Sequence, residues 1–467
     1  MNHLICWLFL IKRAAVNVKK IVQNFVLLQS FLKELLQKLQ YMSNNATLEI
    51  NGKSYEFPLI TGTEDEVAID IKTLRAVTGG VTTIDPGYKN TGACQSAITF
   101  LNGEEGVLRY RGYAIEDLAD KANFLEVAYL LIFGELPTAD ELEKFHADIK
   151  EQSVVDDDVK KILDAFPKSA HPMGVLSCLT SALTAFNPST VNVESEEEMY
   201  NATVKILGKF PVLVAWTMRK KKGLPLNYGD TSLGYVENIM KMMYEKPNEE
   251  YKQNDILLNA LDKLLILHAD HEQNCSTSTC RMIASGGANP FASLAGGVSA
   301  LWGPLHGGAN MAVIKMLNQI HDAGDDGSRF IESAKQGKTR LMGFGHRVYR
   351  NYDPRAKILK AACDDALEAL GVSSPILEIA RRLEEEALKD SYFVERKLYP
   401  NVDFYSGIIL QALGFPTDTF TVLFAIGRSP GWLAHWKEIA ETGKKIHRPR
   451  QIYQGSPLRP YLPIGDR

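Results

Sequence analysis

Cysteine is scarce and scattered in this 467-residue chain. Its six thiols, Cys6, Cys94, Cys178, Cys275, Cys280 and Cys363, form no Cys-x-x-Cys pair and no zinc spacing. That argues against a disulfide scaffold or a structural zinc and for a reducing compartment, here the cytoplasm. Excess positive charge is also missing: a formal net charge of -4 supplies no basic field for nucleic acid, so any anion must be gripped locally. Long apolar runs are absent too, and the stretch 4–11 is too short to cross a bilayer, so no membrane role is expected. No internal repeat or low-complexity tract is evident. What remains, 45% apolar and 23% charged, is an ordinary globular composition on a chain long enough for roughly two or three domains.

Residues 1–41 read differently from the rest. The apolar run 4–11 precedes Lys12-Arg13, and an amphipathic pattern follows through Phe25, Leu28, Phe31, Leu32, Leu35 and Leu39. A secretory peptide places its charge before the apolar run, and a transit peptide is rich in Arg and Ser, of which this stretch has one each. Translation is therefore expected to start at Met42, with 1–41 an upstream extension. Mass analysis of the native N-terminus finding residues before Met42 would contradict this.

From Met42 the pattern becomes regular. Leu48 to Phe57 alternates about an Asn51-Gly52 turn, a β-hairpin signal. A second strand pair, 98–100 and 107–110, straddles Asn102-Gly103. From Ile115 onward the periodicity is helical, as at 128–133, 159–166 and 256–268. Loops are expected around 187–189, 246–248 and 324–327, and the run Glu194-Ser195-Glu196-Glu197-Glu198 reads as a solvated helix start. The fold class is mainly α, with small N-terminal β-hairpins.

Four segments carry groups able to do chemistry. In Met342-Gly343-Phe344-Gly345-His346-Arg347-Val348-Tyr349, two glycines let the backbone bend just before His346, and Asp353-Pro354 stops the loop before Arg355 opens a helix. A solvated surface turn would look the same. In His268-Ala269-Asp270-His271-Glu272-Gln273-Asn274, the two histidines share a helical face, but Cys275 stands where a zincin needs its second histidine. Metal binding, core packing and anion binding all remain open there. In Trp302-Gly303-Pro304-Leu305-His306-Gly307-Gly308, His306 precedes a helical run at 311–320. A helix N-terminus favours a neutral ring that can donate to an oxyanion, although a histidine capping a Gly-Gly turn is equally consistent. In Pro400-Asn401-Val402-Asp403-Phe404-Tyr405, desolvation would raise the basicity of Asp403 toward that of a carbon base, or Asp403 is a turn or cap residue. Arg428 stands among apolar residues, and Arg448 and Arg450 flank Pro449. With Arg355 they offer forks for a small dicarboxylate, and structural salt bridges would explain any one of them.

Taken together and in their order along the chain, these motifs resemble citrate synthase, from about Ala46 to the C-terminus. The N-terminal hairpin is similar to that of the bacterial hexameric (type II) class. The resemblance implies a two-domain multihelical fold: a large domain over 42–311, a small mobile domain over 312–420, and a return to the large domain over 421–467. It implies an acyltransferase of the Si type, condensing acetyl-CoA with oxaloacetate and water to citrate and CoA at entry to the tricarboxylic acid cycle, with no cofactor and no metal. By the same resemblance Asp403 is the base, His306 hydrogen-bonds the thioester oxygen, and His346 polarises the oxaloacetate carbonyl. His268, His271, Arg355, Arg428 and Arg448 would bind oxaloacetate, Arg448 from a neighbouring subunit, and Arg340 would contact CoA. A homo-oligomer of dimers, a hexamer, is the implied assembly. The alternatives are 2-methylcitrate synthase, using propionyl-CoA, and a metal-dependent hydrolase built on His268, Asp270 and His271. NADH-inhibited hexameric relatives carry an arginine pair and a cysteine where this chain has Phe166-Pro167-Lys168 and Asn248, so weak or absent NADH inhibition is expected.

Overall fold

The computed structural model describes residues 45–371, 375–443 and 445–467; the expectation for residues 1–41 lies outside them. The described chain divides into two compact units, one holding 45–95 with the C-terminal 450–467, the other 96–449. In the first, strands Asn45–Ile50 and Lys53–Thr61 pair antiparallel with Ile50 opposite Lys53. Asn51 and Gly52 take φ values of 52° and 73°, the two left-handed positions that a two-residue hairpin turn requires. A third strand, Val67–Ile69, joins the other edge. Three residues are too few to show alternation, so the sequence gives no signal for it.

The second unit opens with a small sheet, Thr99–Asn102, Val107–Tyr110 and Tyr113–Ala114, followed by helices to Glu441. The loop of this hairpin runs over 103–106, longer than the Asn-Gly pair suggests, with Gly106 at φ 73°. The helix Glu196–Lys222 starts on a capping box between Ser195 and Glu198, which accounts for the acidic run. The expected loop at 187–189 contains a short 3-10 turn, Pro188–Thr190.

Two long helices form the interior. Every residue from Phe420 to Trp436 of the helix Phe420–Glu441 is buried, as a helix apolar on all sides must be. It packs on Phe124–Phe133, Glu196–Lys222, Asp255–His268, Cys275–Ser285 and Pro290–Leu301. Pro430 cannot donate to the Ile426 carbonyl, and the Ser429 hydroxyl does so instead, at 2.8 Å. In Glu196–Lys222 the buried cations meet carbonyls near helix C-termini. Lys209 Nζ donates to Gln152 O and Val154 O, and Arg219 Nη1 to Met242 O and Glu245 O. Among the described residues no helix is long and apolar enough to cross a membrane.

Candidate active site

The glycines around Phe344 do what their spacing suggests. Gly343 and Gly345 have φ of 79° and 75°, and a Cβ on Gly343 would stand 2.8 Å from Phe404 and Val313. The loop is stitched to the start of the helix Val402–Ala412. Gly345 N donates to Tyr399 O at 2.8 Å, Asn401 N to Gly343 O at 2.9 Å, and Asn401 Nδ2 to Gly345 O at 2.9 Å. The Asn401 side chain also caps that helix, accepting from Asp403 N at 3.0 Å. Asp403 is thus the second helical residue rather than the cap, and His346 and Asp403 are held by one backbone network.

His346 Nδ1 accepts the amides of Val348 and Tyr349 at 3.0 and 3.2 Å. A ring accepting at Nδ1 carries its proton on Nε2 when neutral. Burial, then Arg355, lowers its pKa to about 4. Asp403 is half-buried, with Oδ1 enclosed and without a hydrogen-bond partner. Burial pushes its carboxyl up to about 6, against the pull of Arg355 and Arg428.

His306 lies just before the helix Ala309–Asp322, as the sequence suggests. Its Nε2 accepts the Ser276 amide at 3.2 Å and lies 2.9 Å from the Ser276 hydroxyl. That hydroxyl donates to Asn274 Oδ1 and accepts from Trp432 Nε1, at 2.8 and 3.2 Å. The His306 proton therefore sits on Nδ1. Burial, then Arg428, holds its pKa near 4.

Two glycines bring Arg428 into place. A Cβ on Gly427 would lie 3.1 Å from Leu265 O, and one on Gly431 only 2.2 Å from Ala269 O, so the helix Phe420–Glu441 rests directly on the end of Asp255–His268. Arg428 Nε reaches His268 O at 2.6 Å, while its Nη1 is enclosed without a partner. The guanidinium carbon is 5.0 Å from the Phe424 ring centroid, and the ring of His306 is 6.4 Å from the same ring. Arg355 makes a bidentate pair with Asp353, at 3.0 and 2.9 Å. Asp353 Oδ2 also accepts Val402 N at 3.1 Å, so one carboxylate fixes both Arg355 and the helix that carries Asp403.

His268 Nδ1 donates to Leu264 O at 2.7 Å, and its Nε2 is enclosed without a partner. The His271 ring lies 5.2 Å from that of His346. Burial, then Arg355 and His346, keeps His271 neutral. Asp270 is engaged elsewhere, accepting from Thr99 Oγ1 at 2.6 Å and His435 Nε2 at 3.3 Å. Among the described residues no three His, Cys, Asp or Glu side chains are grouped to hold a metal ion.

Seven of the nine expected residues therefore come together in one buried to half-buried cluster: His268, His271, His306, His346, Arg355, Asp403 and Arg428. Arg340 and Arg448 do not join it; both are exposed. The supporting residues Ser276 and Asp353 escape sequence reasoning. The Asp-Pro-x helix start marks Asp353 as a cap, which it is, accepting from Arg355 N at 3.1 Å, but says nothing of its grip on Val402.

Such a cluster, two neutral imidazoles each with a free N–H, a basic carboxylate and two guanidiniums, suits enolisation beside a dicarboxylate. A family model described as "Citrate synthase, C-terminal domain" matches residues 87–450. Citrate synthase 1 of Mycobacterium tuberculosis is 49% identical over 427 residues, covering 91% of this chain and 99% of that protein. Citrate synthase of Corynebacterium glutamicum is 50% identical over 429 residues, covering 91% and 98%. A solved Thermoplasma acidophilum citrate synthase, in ternary complex with carboxymethyl coenzyme A and oxaloacetate, superposes with a TM-score of 0.77. It is 30% identical, and the match covers 83% of this chain and all of that one. Motif order, fold and these matches converge: the chain belongs to the citrate synthase family.

Proposed function

We propose that this cluster condenses acetyl-CoA with oxaloacetate as follows. The Asp403 carboxylate takes a proton from the acetyl methyl group, and the His306 Nδ1–H donates to the thioester oxygen as charge develops there. The new carbon nucleophile attacks the oxaloacetate carbonyl carbon, whose oxygen accepts from His346 Nε2–H. His346 passes its Nε2 proton to the alkoxide, giving citryl-CoA, and regains one through solvent from the protonated Asp403; water then cleaves the thioester to citrate and CoA, releasing one proton. Arg355, Arg428, His268 and His271 hold oxaloacetate, with Arg448 supplied by a neighbouring subunit, and Arg340 contacts CoA. Carbon–carbon bond formation and thioester hydrolysis here need only proton transfer and charge stabilisation from the protein, which these side chains supply.

The observation that carries this reading is the amide anchoring of both rings. His306 accepts at Nε2 and His346 at Nδ1, leaving each with one N–H to donate. The finer organisation follows the same reading: a mobile domain over 312–420 carries His346 and Asp403 toward His306, flanked by 42–311 and 421–467, so closure assembles the site and excludes water. A cytoplasmic hexamer of the type II class, acting at entry to the tricarboxylic acid cycle, completes it.

The names of the similar proteins favour acetyl-CoA over propionyl-CoA, a distinction of one methylene worth only ~1–3 kcal/mol. Replacing Asp403 by Asn tests the mechanism. Turnover should fall at least ~10²-fold with oxaloacetate binding largely intact; full activity in that variant would remove Asp403 from the chemistry.

A further inference from the structure

We infer that Tyr349 is a positioning residue of the oxaloacetate site, its phenol fixing the tautomer and orientation of His271. The inference rests on the reading of His271 and Arg355 as oxaloacetate ligands. Tyr349 is only 2% exposed, and its hydroxyl lies 3.3 Å from His271 Nε2. Its ring centroid is 5.6 Å from that of His271 and 4.8 Å from that of His346. The Arg355 guanidinium carbon lies 5.9 Å from the same centroid, at the edge of cation–π range. The Tyr349 amide is one of the two that anchor His346. One residue thus adjoins three of the groups assigned to oxaloacetate.

The direction of the hydrogen bond follows from the chemistry of the pair. Burial raises the phenol well above its ordinary pKa, so it stays protonated, and His271 is neutral. A phenol is a better donor than a neutral imidazole N–H, and an imidazole nitrogen a better acceptor than a phenol oxygen. Tyr349 therefore donates to Nε2, and the His271 proton resides on Nδ1, available to a carbonyl or carboxylate oxygen of the substrate. Without the hydroxyl, both tautomers compete and the ring loses its orienting partner.

Tyr349→Phe keeps the ring, its packing and its contact with Arg355, and removes only the donor. By calorimetry the variant should bind oxaloacetate about 5- to 10-fold more weakly, the loss of one buried hydrogen bond. Turnover at saturating oxaloacetate and the acetyl-CoA KM should stay within about twofold of wild type. In a His271→Gln background the same change should add little, because the partner is already gone. Unchanged oxaloacetate affinity, or an effect that multiplies fully with His271→Gln, would overturn the inference. Thermal unfolding reports whether the variant is folded. Should it be unfolded, the nitrogen-15 histidine spectrum of the wild type decides: His271 protonated on Nδ1 supports the inference, and on Nε2 refutes it. That spectrum is independent of turnover, so a wild type that neither binds oxaloacetate nor releases thiol would instead count against the functional reading.

Discussion

Acidification should switch the enzyme off through one group first. Asp403 must be ionised to take a carbon proton, and burial raises its carboxyl to about 6. An ordinary aspartate titrates near ~3.9 and would leave the rate flat down to about pH 5. Here kcat/KM for acetyl-CoA should be half-maximal near pH 6 and about tenfold below its plateau at pH 5, falling about tenfold per unit. His306 and His346, held near 4, remain neutral through that window, so the limb has a slope of one until they too begin to protonate. The assay is initial rate at limiting acetyl-CoA and saturating oxaloacetate, followed by loss of thioester absorbance because thiol dyes fail in acid. Folding needs a parallel control by circular dichroism. The lowered histidines bind protons more readily in the unfolded chain, so stability falls as pH drops from about 6.5 toward about 4, by up to ~1.4 kcal/mol per pH unit for each. A profile flat to pH 5 in folded protein would refute the account of Asp403.

Gly431→Ala should destabilise, although Ala normally gains ~1 kcal/mol over Gly in a helix. The new Cβ would meet Ala269 O at 2.2 Å and Asp270 Oδ1 at 2.6 Å, so overpacking of about 1–3 kcal/mol or more outweighs the propensity gain. A lower unfolding midpoint with weaker oxaloacetate binding is expected, and an unchanged midpoint would contradict the close approach. NADH should inhibit weakly or not at all, because Phe166-Pro167-Lys168 and Asn248 replace the residues of inhibited relatives; potent inhibition at sub-millimolar NADH in a titration would contradict this.

What was legible in the sequence was punctuation. Gly343 and Gly345, and Gly307 and Gly308, marked the loops that present His346 and His306, and Pro400-Asn401 the turn just ahead of the helix that carries Asp403, because backbone constraints are written locally. The Asn51-Gly52 hairpin and the long helices were legible for the same reason, whereas strands of two or three residues such as Tyr113–Ala114 carry no period. Partnerships across the chain were not legible. That Arg428 binds the His268 carbonyl, that Ser276 sets the His306 tautomer, and that Asp353 joins Arg355 to the Asp403 helix all depend on helices meeting in space. The glycines at 427 and 431 permit that meeting but do not announce its partner. Arg340 rests on resemblance alone and Arg448 on its place beside Pro449 and Arg450, and both are exposed in the single chain.

The most direct measurement is thiol release from oxaloacetate with acetyl-CoA or propionyl-CoA, each with and without a chelator. The account predicts release that prefers acetyl-CoA and ignores the chelator. No release from folded protein, or release abolished by the chelator, would contradict it.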